Sequence, residues 1–240
     1  MLGPIDWALW IICFVLEVGV LASTFYRKAF LRYLPLNIFM MCNALTDCGQ
    51  YICMHKFGYN SYQYYYFYYY TCSLLAILLF TVIIQFYLRV FKELEVSQYV
   101  RRVAFALLIF TALFSYIVVH KNRDHFTKQF VVEFSQNIYF VEVVLTYLLW
   151  GALLKVRETQ ARVVQLILAL GIYFSATAGT YALRNLFPSL QDPILRFFPP
   201  LIGIWLPLAW CYTFLRVPEE SRLETNQLLT PTPALAVKTQ

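Results

Sequence analysis

Seven long apolar runs constrain this chain more than any motif in it: residues 5–23, 34–54, 62–90, 103–120, 130–154, 163–183 and 194–215. A helix that crosses the hydrocarbon core of a bilayer needs about 20 predominantly apolar residues, and core strands or short soluble helices need far fewer. Each run is therefore read as a transmembrane helix, and the expected fold is all-α, a polytopic membrane protein of seven helices. The charge content agrees. Only 13% of the residues are charged and 60% are hydrophobic, whereas an ordinary soluble domain carries about 25% charged residues. The connections are short, which leaves no room for a soluble domain. Residues 1–216 are expected to form one transmembrane domain, and 217–240 a disordered cytoplasmic tail, polar and with prolines at both ends. No Lys or Arg precedes the first run, which is also long for a signal-peptide core, so it is expected to remain in the mature protein.

Basic residues set the expected orientation. Arg27, Lys28 and Arg32 follow the first run; Arg89, Lys92, Arg101 and Arg102 the third; Lys155, Arg157 and Arg162 the fifth; and Arg216, Arg222 and Lys238 lie at or beyond the end of the last. These are thirteen of the 19 Lys and Arg residues. Short cytoplasmic loops collect such residues, so the N-terminus is expected outside and the C-terminus inside. The net charge of +6 is then a topology signal, with the lipid bilayer as the first partner and no nucleic acid expected.

At 62–70 the third run opens with YQYYYFYYY. A helix turns about 100° per residue, so these rings face every direction. Buried hydroxyls need partners and exposed rings avoid water, and the membrane interface satisfies both halves. Trp7 and Trp10 mark the same level on the first run. The plain reading is an interfacial anchor. The sharper one is that the inward part of the tyrosine ring roofs a binding cavity.

Polar groups inside the membrane are costly and usually face the bundle interior. Asn43, Asp47 and Gln50, spaced four and three apart, share one stripe of the second helix. Glu17 lies at mid-depth on the first helix. Glu142 does so on the fifth, on the face of Ser135, Tyr139 and Thr146. The sixth contributes Ser175, Thr177 and Thr180. No Lys, Arg or His shares their depth, so at least one of Glu17, Asp47 and Glu142 is expected to be a neutral acid. The candidate ligand or proton site is Glu17, Asn43, Asp47, Gln50, Tyr139, Glu142, Ser175 and Thr180. The alternatives are hydrogen-bonded glue between helices and contact with another subunit. Pro207, inside the last run, removes a backbone hydrogen bond, frees the carbonyl of Gly203 and is the expected hinge. Gly171, Ser175 and Gly179 form a small-residue stripe read as packing within the monomer.

Several chemistries are disfavoured. His55, His120 and His125 lie at helix ends or in a loop, which does not suit haem ligation. No lysine lies inside a run to carry a retinal Schiff base. There is no HExxH, GxSxG or P-loop. Cysteines 13, 42, 48, 53, 72 and 211 lack zinc-type spacing, so no metal and no cofactor is expected. Cys53 and Cys72 both fall in the outer half of neighbouring segments, so free buried thiols are expected, with a disulfide the alternative. The third run ends FYLRVFKEL without Asp-Arg-Tyr, and the last run lacks Asn-Pro-x-x-Tyr, which separates the chain from G-protein-coupled receptors. The Pro-Gln pairs of SWEET-type sugar transporters are missing.

Leu16–Glu17, YRKAFLRYLPLNIF at 26–39, the aromatic opening of the third run and its exit YLRVFKEL resemble small, uncharacterised seven-helix membrane proteins of bacteria. The resemblance implies architecture and a multi-pass place in a bacterial inner membrane, and no activity. The expected function is a receptor-like or sensory module with a polar cavity between helices, its basic loops meeting a cytoplasmic or membrane protein partner. The alternatives are a small transporter or proton-coupled carrier using the mid-membrane carboxyls, and a non-catalytic accessory subunit. Enzyme activity ranks last, because no catalytic constellation is visible.

Overall fold

A computed structural model describes residues 3–59, 61–91, 97–120, 126–153, 158–186, 198–218 and 222–224. Within them lie seven helices: α1 (Pro4–Tyr26), α2 (Leu34–Phe57), α3 (Tyr62–Val90), α4 (Ser97–His120), α5 (Phe126–Leu153), α6 (Ala161–Leu186) and α7 (Phe198–Arg216). Two short strands, β1 (Glu158–Gln160) and β2 (Arg222–Glu224), pair antiparallel with Thr159 opposite Leu223. The expected start of the last helix at 194–197 and most of the tail lie outside the described residues.

Local chemistry explains several of the helix ends. Pro4 opens α1, where its missing N–H is not needed, and Asp6 accepts a hydrogen bond from the Gly3 N–H at 2.8 Å. At the far end Lys28 adopts φ 53°. Ala29 N then donates to Thr24 O (2.9 Å) and Lys28 N to Phe25 O (3.0 Å), the Schellman pattern that satisfies the last carbonyls of a helix. Gly58, at φ 83°, ends α2, a backbone state open to glycine without strain. The Ser61 hydroxyl caps α3 by accepting from Tyr64 N at 3.1 Å.

Six helices, α1 and α3 to α7, are long and apolar enough to cross a membrane, and the chain is a multi-pass membrane protein. α2 has the length but not the apolar content, against the expectation of seven equivalent runs. It carries Asn37, Asn43, Thr46, Asp47 and Gln50 within four turns, and each polar side chain costs transfer energy in lipid. Such a helix is held by its neighbours. α2 packs on α1 and α3, α3 on α5, α5 on α6, α6 on α7, and α7 returns to α1. These six form a closed ring, and α4 lies outside it against α5 and α3. Large apolar side chains point outward from the ring and from α4, among them Ile5, Ile11, Val15, Phe105, Phe110, Leu113 and Ile117. An exposed apolar face of this extent suits lipid.

The packing is uneven along the bundle axis. Towards the end where α1 and α7 finish, Val20, Leu36, Ile83, Phe86, Leu166, Trp210 and Phe214 form a dense core. Tyr33 packs edge-on to Phe214, ring centres 5.2 Å apart, with the Arg89 guanidinium 3.8 Å above the Tyr33 ring. Arginines close this end by donating to orphan carbonyls: Arg27 to Leu215 O at 2.6 Å, Arg89 to Arg32 O, and Arg162 twice to Val217 O at 3.0 and 2.7 Å. The other end, where α1, α3, α5 and α7 begin, is hollow.

Candidate functional site

A cavity of about 1180 Å³ occupies the hollow end between α1, α2, α3 and α7. α1 contributes Asp6, Trp7, Trp10, Cys13 and Glu17; α2 contributes Asn43, Thr46, Asp47, Gln50, Tyr51 and Met54. Tyr64, Tyr68 and Cys72 come from α3, Tyr139 from α5, Tyr173 and Thr180 from α6, and Gly203 and Pro207 from α7. The cavity reaches the surface at Tyr59, which is 61% exposed. It stops at Glu17, Phe39, Met40 and Leu206, where the dense core begins.

Helical spacing builds the floor. Cys13 and Glu17 are one turn apart on α1, and Asn43 and Asp47 one turn apart on α2, so each pair shares a face. The faces meet where the two helices pack. Asn43 Nδ2 donates to Glu17 Oε1, and the Cys13 thiol donates to the same oxygen at 3.4 Å. Glu17 Oε2 and Asp47 Oδ2 are buried without a hydrogen-bond partner among the described residues. The indole of Trp10 is directed at the Asp47 carboxyl. No Lys, Arg or His lines the cavity among the described residues.

Aromatic rings make the walls. Trp7, Trp10 and Tyr51 form a cluster with ring centres 5.3 to 5.8 Å apart. In the tyrosine run, rings one turn apart pair as Tyr64–Tyr68, Tyr65–Tyr69 and Tyr66–Tyr70. Tyr64 and Tyr68 line the cavity, and Tyr62, Tyr66, Tyr68 and Tyr70 are exposed. The run therefore contributes rings both to the cavity and to the outer surface of the bundle.

Six of the eight residues singled out from the sequence line this one space: Glu17, Asn43, Asp47, Gln50, Tyr139 and Thr180. Two do not. Ser175 accepts from or donates to Tyr147 at 3.0 Å at the α5–α6 contact. Glu142 is 0% exposed and does not line the cavity, with neither carboxyl oxygen hydrogen-bonded among the described residues. Pro207 also lines the cavity, and indoles on either side of it tie α7 to α6: Trp205 donates to Ala169 O and Trp210 to Leu166 O, both at 3.3 Å. Cys53 and Cys72 are free thiols.

Cys13, Trp10 and Tyr51 had no place in the site read from the sequence. The signal for Cys13 was its four-residue distance from Glu17. Tyr51 follows the Asn43–Asp47–Gln50 stripe by one position, and only the packing of α1 on α2 shows that its ring turns to the tryptophans.

No protein-family model, no curated protein and no solved structure matches this chain.

Proposed function

We propose that this chain is a receptor-like or sensory seven-helix module of a bacterial inner membrane, with the N-terminus outside, and that the cavity is its ligand site. On this reading α2 is a seventh span that keeps its polar stripe on the cavity and turns Met41, Leu45 and Ile52 outward. The carrying observation is the asymmetry of the bundle: the hollow end is lined with acids, amides and aromatic rings, and the opposite end is filled and sealed by arginine–carbonyl bonds. A sensor needs a site open to one side and a rigid frame that transmits occupancy. A carrier needs a path to both sides, and the dense core around Trp210 and Phe214 stands across that path. Basic residues at the sealed end, Arg27, Arg32 and Arg216 among them, would then face a cytoplasmic partner.

The facing carboxyls of Glu17 and Asp47 favour one other reading, a proton-coupled carrier. Proteoliposomes loaded with a pH-sensitive dye and given a proton gradient separate the two. The sensory reading expects dissipation no faster than in protein-free liposomes. Proton flux in the wild type that Glu17→Gln or Asp47→Asn removes would make the protein a carrier.

A further inference from the structure

We propose that Cys13 and Glu17 of α1 and Asp47 of α2 form a binding site for one divalent transition-metal ion of the zinc type, with the Asn43 amide orienting Glu17 by a hydrogen bond. The inference rests on the reading of the cavity as a ligand site and names the chemistry of its ligand.

The geometry comes first. The Cys13 sulfur and one carboxylate oxygen each from Glu17 and Asp47 lie within 4.8 Å of one another. Cys13 and Glu17, at i and i+4 of α1, and Asp47 of the packed α2 bring their three ligand atoms together. Metal sites in helical bundles are built from facing helices in this way. An ion placed among them would bond at about 2.0 Å to oxygen and 2.3 Å to sulfur.

Hydrogen bonding leaves part of the cluster unexplained. Glu17 is 0% exposed and lines the cavity, and its Oε1 already accepts from both Asn43 and Cys13. Its Oε2 has no partner among the described residues, and neither does Asp47 Oδ2. A buried polar atom that nothing meets is costly. A cation between the two carboxylates would satisfy both atoms. No basic side chain lines the cavity among the described residues, and Asp6 adds a carboxyl nearer its open end, so the field along the entry path favours positive charge.

The donor set chooses the class of ion. Magnesium and calcium take oxygen ligands and leave sulfur aside, while copper(I) prefers several sulfurs. One thiolate with two carboxylates suits a borderline divalent ion, and zinc imposes no geometry of its own. On binding, the thiol loses its proton to water and the sulfur donates its pair to the metal. Gly203 adds room beside the sulfur, since a Cβ built there lies 4.0 Å from Cys13 Sγ.

Cobalt(II) is the probe, because a thiolate bound to it gives a near-ultraviolet charge-transfer band. Full-length protein in lipid nanodiscs is titrated with Co²⁺ and then with Zn²⁺. The expected result is that band at one Co²⁺ per chain, displaced by Zn²⁺. Cys13→Ser and Cys13→Ala should lose it. Glu17→Gln and Asp47→Asn should weaken binding at least about 10-fold, the scale on which even outer-shell partners matter. Cys72→Ser should keep it, and so should a chain whose one remaining cysteine is Cys13, which answers the question if the Cys13 variants do not fold. No band in the wild type, or a band that survives loss of Cys13, overturns the assignment. If the band is missing while a water-soluble thiol reagent still reaches Cys13, the metal site fails and the cavity stands. If Cys13 is also unreachable, the ligand-site reading fails with it.

Discussion

Asn43 of α2 and Glu17 of α1 are joined side chain to side chain, Asn43 Nδ2 donating to Glu17 Oε1 across the helix contact that forms the cavity floor. Lipid offers neither group a partner, so the bond holds the least apolar helix to its neighbour. Asn43→Ala is expected to lower unfolding free energy in a membrane mimetic by about 0.6–1.7 kcal/mol, the range measured for hydrogen bonds between membrane helices. Asn43→Gln should recover part of that. Equal stability of Asn43→Ala and wild type in a detergent-unfolding titration would show that α2 is held by packing alone.

The small-residue stripe of α6 separates close packing from open space. A Cβ at Gly171 would intrude on the indole of Trp150, whose Nε1 donates to Ile167 O at 3.4 Å, while nothing lies within 4 Å of a Cβ at Gly179. Gly171→Ala should cost about 1–3 kcal/mol as an overpacked contact. Gly179→Ala should be neutral or gain up to about 1 kcal/mol of helix propensity. Thermal unfolding of the two variants checks this, and a larger loss at Gly179 would contradict it.

Glu142 of α5 is fully buried and does not line the cavity, and its carboxyl oxygens have no hydrogen-bond partner among the described residues. Glu142→Met fills a similar volume without a polar group, so it should raise unfolding free energy by about 1–3 kcal/mol and leave Co²⁺ binding unchanged. Loss of stability in Glu142→Met would mean that the carboxyl has a partner in the folded membrane protein.

Much of this was legible in the sequence because apolar length and i, i+4 spacing act within one helix. The third helix runs over 62–90 as its apolar run does, and Asn43, Asp47 and Gln50 share the inward face that their spacing implied. What spacing within a helix does not contain is rotation about its axis relative to the others. Glu17 and Glu142 look alike in the sequence, both acids at mid-depth in apolar runs. Packing turns one into the cavity and the other into the core. The join of Cys13 to Asp47 is likewise hidden, since 34 positions of chain separate them and only the α1–α2 contact closes that gap. α2 falls outside the helices apolar enough to cross a membrane by length and composition because its polar stripe, a candidate site, is also a cost in lipid.

On the proposed reading, water enters the cavity from one side and stops at Glu17. Cys13, one turn above Glu17, reports on it directly. In a chain with Cys13 as the one cysteine, expressed in oriented membranes, a small charged thiol reagent that cannot cross lipid is added to either face. A fluorescent or enzymatic reporter at residue 240 identifies the face at which the chain ends. The account predicts that Cys13 reacts from the face opposite that reporter and not from the reporter's own. A chain retaining Cys211 alone, whose sulfur lies 3.6 Å from a Cβ built at Gly19 beyond the cavity floor, should not react from the first face. A Cys13 that is inert from both faces, or that reacts from the face bearing the C-terminus, would contradict the account.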